Sequence, residues 1–115
     1  MASGAAWAGA APRWAPYADA MVIDACGFIA GEDGAPGAAL SAHLVDEARR
    51  SGLRVIQTTV GPVAQYEGAY EETVRSIGFW ENEILAHPEV FMAVRNRADL
   101  DTARREKKLG VVYQF

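Results

Sequence analysis

Short apolar runs alternate along the chain with longer stretches in which apolar residues recur at helical spacing, and this alternation predicts the elements. "AMVIDACG" (Ala20 to Gly27) is a short apolar run closed by glycine, expected to be a strand buried on both faces. The Gly/Pro-rich "GEDGAPGA" that follows is a loop on its turn chemistry. Leu40, Leu44, Val45 and Ala48 then recur at helical spacing, with Arg49 and Arg50 in the last turn and Gly52 as the stop. "LRVIQTTV" is rich in β-branched residues and closed by Gly61-Pro62, which predicts a second strand.

The next stretch predicts a long helix. Tyr66, Tyr70, Val74, Ile77, Ile84 and Leu85 form an apolar stripe, Glu67, Glu71 and Glu72 load the first turns, and His87-Pro88 ends it. "VFMAV" (Val90 to Val94) is a short extended piece. Asn96 suits the cap of a final helix, "ADLDTARREKK", with Leu100 and Ala103 facing inward. "LGVVYQF" is then another strand. Strand–helix alternation of this kind calls for a parallel sheet with right-handed crossovers. The expected fold class is therefore α/β, with parallel βα units.

Composition narrows the function classes. Half of the 115 residues are hydrophobic and 23% are charged, the profile of a globular protein. A net charge of −4 without a Lys/Arg stripe argues against nucleic acid. "RREKK" (Arg104 to Lys108) complements the macrodipole at a helix end. One cysteine allows no internal disulfide and fits a reducing compartment, so the cytoplasm is the expected location. No apolar run approaches the roughly 20 residues of a membrane helix. Residues 1–19 are Ala-rich and broken by Pro12 and Pro16, and are expected to be a flexible leader to a domain spanning residues 20–115.

Family resemblance enters with the second half of the chain. "FWENEILAHPEVF" on the long helix, the pattern V-x-N-x-A-D-L-x-x-A-R from Val94 to Arg104, and the K-x-x-G-V-V strand from Lys107 resemble the N-terminal third of the membrane (renal) dipeptidase family of zinc metallopeptidases. The resemblance covers Met21 to Phe115 and is strongest from Thr58 onward. It implies part of a TIM-like (β/α)8 barrel that hydrolyses dipeptides with zinc at the carboxyl ends of its strands. The family's first strand ends in Asp-Gly-His-x-Asp, whose His and second Asp hold metal. Here the stretch reads Asp24-Ala25-Cys26-Gly27-Phe28, with Cys26 at the His position and Phe28 at the ligand Asp. A thiolate can bind zinc; a phenyl ring cannot.

The candidates for chemistry are therefore few. Asp24 and Cys26 are the metal candidates, and Gln57, Thr58 and Thr59, closing the second strand, are the substrate-binding candidates. The plainer alternative for Asp24 is a carboxylate accepting loop N–H groups, and for Cys26 a buried structural thiol. A cysteine-dependent hydrolase on Cys26 lacks a neighbouring cation to lower the thiol's pKa. His43 and His87 fall on or at the ends of helices, His87 as a C-terminal cap, away from a strand-end site. Gly31, Gly34 and Gly37 do not make a phosphate fingerprint. Tyr66, Tyr70, Phe79 and Trp80 are expected to pack helix against sheet.

The functional expectation is the N-terminal part of a dipeptidase-like metal-dependent hydrolase, inactive alone and binding no zinc of its own. Its expected partner is the remainder of the barrel, or another chain covering the open edge strand. The alternative is a non-catalytic α/β interaction module that pairs through that edge.

Overall fold

The computed structural model describes residues 17, 19–29, 37–64 and 66–115. Most of the expected leader and of the "GEDGAPGA" loop lies outside these residues. The chain order is β1 (Ile23–Asp24), α1 (Ala42–Arg50), β2 (Val55–Thr59), α2 (Ala69–Ala86), β3 (Phe91–Ala93), α3 (Arg97–Glu106) and β4 (Leu109–Gln114). The strands form one sheet in the order β1-β2-β4-β3, and every pairing is parallel. The expected α/β class holds. β1 and β2 come from one βα unit laid side by side, as at the start of a TIM-like barrel, whereas β3 and α3 intervene in the chain before β4 takes its place beside β2.

Local chemistry starts and stops the helices as the sequence suggests. Ser41 caps α1 by accepting the Leu44 N–H at 3.3 Å, and Gly52, at φ +78°, supplies the left-handed turn after it. Asn96 and Asp99 make a reciprocal capping box on α3, with Asn96 Oδ1 accepting from Asp99 N at 3.2 Å and Asp99 Oδ2 accepting from Asn96 N at 3.1 Å. His87 caps α2, its N–H donating to the Glu83 carbonyl at 2.9 Å.

Strand alternation then separates two faces of the sheet. Ile56, Thr58 and Val60 share one face with Leu109, Val111 and Tyr113, and here Val45 and Ala48 of α1 and Trp80 of α2 close the core. Phe91 of β3 joins them, its ring 6.1 Å from Trp80 in an edge arrangement. The opposite face carries Val55, Gln57 and Thr59 beside Gly110, Val112 and Gln114. α3 covers the lower part of that face. A Cβ on Gly110 would lie 3.5 Å from the Cβ of Ala103, which is fully buried. Topology accounts for this: β3 lies outside β4, so the return through α3 runs in the opposite sense, and a right-handed crossover then falls on the other side of the sheet.

Two expectations are corrected and a third is refined. The first strand is not buried on both faces: it is two residues long, pairs only with β2, and leaves Ile23 52% exposed. The Asp24 side chain turns the chain immediately, accepting the Cys26 N–H at 3.0 Å, so the apolar run cannot extend. "VFMAV" is extended as expected, but its Phe91–Ala93 joins the sheet as an edge strand, a fourth beside the three main strands. The stripe of α2 is also rotated. Tyr66 precedes the helix and is 94% exposed, Tyr70 is 78% exposed, and Val74 and Leu85 face solvent. Because Gly68 sets the N-cap and Trp80 brings the largest apolar area, the buried face runs through Ile77, Trp80, Glu83 and Ile84 instead. Phe79 and Trp80 pack inward as expected, 5.4 Å apart.

Candidate functional site at the carboxyl ends of the strands

In parallel α/β folds, chemistry collects where strands end and loops begin. That end of this sheet carries Asp24 and Cys26 after β1, Gln57 to Thr59 on β2, and Tyr113 and Gln114 on β4. The register sets them side by side: Asp24 against Ile56, Gln57 against Val112, Thr58 against Tyr113, and Thr59 against Gln114.

This arrangement divides the substrate candidates. Gln57 and Thr59 project on the face opposite α1 and α2, where Gln114 is their neighbour. Thr58 turns the other way and is fully buried, with no hydrogen-bond partner for Oγ1. It fills the core between Ile56 and Val60 and does not share a surface with Gln57 and Thr59. Gln114 was not singled out by the sequence, because only strand register reveals that it neighbours Thr59.

The metal candidates fare differently. Asp24 has Oδ1 committed to the Cys26 N–H, and its carboxyl carbon would lie 3.4 Å from a Cβ on Gly27, whose other close neighbour is Ile56. Asp24 therefore lies on the helix side of the sheet. Cys26 is exposed, which corrects the expectation of a buried structural thiol: as the second residue of the Asp24 turn, it sits outside the core. Phe28, at the family's ligand position, is exposed too. His43 lies 3.3 Å from Glu47 on α1, and His87 lies 3.9 Å from both Glu83 and Glu89. Among the described residues, no three His, Cys, Asp or Glu side chains converge, so the donor set does not fit a zinc ion.

Behind the strand ends, on the helix side, sits a polar cluster. The Tyr113 hydroxyl donates to Glu81 Oε1 at 2.9 Å, and Arg95 Nη2 lies 3.6 Å from the same oxygen. Burial pushes the Tyr113 phenol above the ordinary tyrosine range, and the Glu81 carboxylate pushes it the same way, with Arg95 opposing. The cluster ties the end of β4 to α2 and to the turn after β3.

No known family model and no curated protein matches the chain. A similar solved chain is an amidohydrolase. It comes from Pseudomonas aeruginosa, is 25% identical, and superposes with a TM-score of 0.64. The match covers 86% of this chain and 26% of that one, so this chain spans about a quarter of the amidohydrolase's length. The fold is that of parallel βα units from a TIM-like barrel, and the likeness supports a relationship to hydrolases. Among the described residues, no helix is long and apolar enough to cross a membrane.

Proposed function

We propose that the chain is the opening portion of a dipeptidase-like hydrolase barrel, acting as a scaffold and binding element and not as a hydrolase by itself. The observation that carries this reading is the strand-end chemistry. The sheet matches an amidohydrolase, yet one face of its strand ends presents neutral Gln57, Thr59 and Gln114, and among the described residues no three metal-ligating side chains converge. A metal-assisted hydrolase needs several converging ligands to polarise a carbonyl and generate hydroxide. The intact barrel would require further strands, from the rest of a longer polypeptide or from another chain. With a free, exposed thiol at Cys26, the protein fits a reducing compartment, and we place it in the cytoplasm.

A panel of dipeptides incubated with the zinc-supplemented chain tests this directly. Hydrolysis should stay at the rate of buffer containing the same zinc. Turnover that scales with protein concentration, and is removed by a chelator, would show that a working site exists.

One observation favours the second reading, an interaction module. β3 covers β4 only over Leu109 to Val111, ending with the Val94 N–H donating to the Val111 carbonyl at 2.9 Å. Among the described residues no strand pairs with the outer edge of β4 over Val112 to Gln114, and β1 leaves a second open edge. Either edge can receive an extended segment by strand addition.

A further inference from the structure

An apolar cleft of about 260 Å³ lies between α1 and the amino ends of β2 and β4. Leu44 and Ala48 of α1, Leu53 before β2, Leu109 of β4 and Ile29 form its walls, and Phe28 lines it while remaining 77% exposed. A cavity of about 150 Å³ holds a benzene ring, so this one has room for a larger aromatic group. Its polar members are Glu47 and Ser51. Ser51 Oγ is committed, donating to the Ala48 carbonyl at 2.8 Å and accepting the Leu53 N–H at 3.1 Å. Glu47 Oε1 lies 3.3 Å from His43, and its carboxylate has capacity to accept a further N–H. The cleft therefore suits a broad apolar body with one donor and no acceptor, which among side chains is the indole of tryptophan.

The chain itself brings such a group to this place. Tyr17 packs against Gly52, between the lining residues Ser51 and Leu53. A Cβ on Gly52 would lie 2.8 Å from the Tyr17 ring, and the Tyr17 hydroxyl donates to the Ser51 carbonyl at 3.3 Å. The Ala20 N–H closes a turn on the Tyr17 carbonyl at 3.2 Å, and Arg104 Nε donates to the Asp19 carbonyl at 3.1 Å, so the segment entering β1 is held at this end of the sheet. Residues 1–16 precede that anchor and lie outside the described residues. Trp14 is three residues upstream of Tyr17, a span of at most about 10 Å of chain, whereas Trp7 is ten residues upstream, beyond Pro12 and Pro16. We propose that residues 13–16 form a strap that seats the Trp14 indole in this cleft, with its N–H donating to Glu47. The strap closes the apolar opening beside α1 and is independent of the chemistry at the carboxyl ends of the strands.

Nuclear Overhauser spectra of the full chain, with the methyl groups of leucine and isoleucine labelled, test it. The Trp14 ring protons, assigned with Trp14→Ala, should show contacts to methyls of Ile29, Leu44 and Leu53, and the Trp7 ring should show none. These contacts should be lost in Trp14→Ala, while those of Trp80, buried in the core, should remain and report that the sheet is folded. In a mixture of methyl-labelled and ring-labelled copies, no contact should cross from one copy to another. Three results would overturn the proposal: a Trp14 ring without methyl contacts in a chain whose Trp80 contacts are intact, contacts made by Trp7 in its place, or contacts that arise only between copies.

Discussion

Gly110 shows how much one position can decide. A Cβ there would meet Val94 Cγ2 at 2.5 Å and the Arg54 carbonyl at 3.2 Å, where the sheet, the turn after β3 and α3 come together. Gly110→Ala should therefore cost about 1–3 kcal/mol, the usual penalty for overpacking, read as a lower denaturant midpoint. Tyr113 gives a pH signature. Its folded-state pKa lies above the ordinary value near 10, so the stability it contributes is complete below about pH 10 and is lost as pH rises beyond it. In an alkaline absorbance titration of the folded chain, Tyr113→Phe should remove a phenol that titrates above the ordinary tyrosine range, and an unchanged high-pH phase would contradict burial and the Glu81 contact as its cause. Residue types at the strand ends were legible from the sequence, but their directions were not. Gln57, Thr58 and Thr59 look equivalent as a polar triplet until the two-residue period sends Thr58 into the core and register adds Gln114 to the other two.

Elements were easiest to read where local chemistry alone defines them. The α3 capping box follows from Asn96 and Asp99 three residues apart, and β2 follows from its β-branched run. Asn96→Ala should lower stability by about 1 kcal/mol, measured by thermal or denaturant unfolding, whereas a neutral result would mean that the cap is not formed in solution. The sequence misled where tertiary partners choose. The stripe from Tyr66 to Leu85 is a fair helical pattern, yet the face is chosen by what Trp80 meets, the Phe91 ring and the Val111 side of the sheet. Likewise β1 reads as a buried run, but its edge position and the Asp24 turn leave it short and exposed. Glu83 was not identified either. It is buried on α2 and accepts the Leu40 N–H at 3.2 Å, joining the loop before α1 to the helix two elements later.

At the scale of the whole molecule, parallel βα units and a match to about a quarter of an amidohydrolase describe a hydrolase-type scaffold. The face its strand ends share at Gln57, Thr59 and Gln114 nevertheless presents neutral side chains, with Asp24 on the helix side. Among the described residues no strand covers the outer edge of β4 over Val112 to Gln114, and the outer flank of α2 exposes Tyr70, Val74 and Leu85. We propose that this scaffold carries no metal site of its own, and zinc retention is the direct test. The chain would be loaded with excess zinc, desalted, and its metal content determined by elemental analysis. Far less than one zinc per chain should remain, unchanged by Cys26→Ser and Asp24→Asn. Near-stoichiometric zinc that disappears in those two variants would contradict it, because the first strand would then hold a metal despite the Asp24 turn.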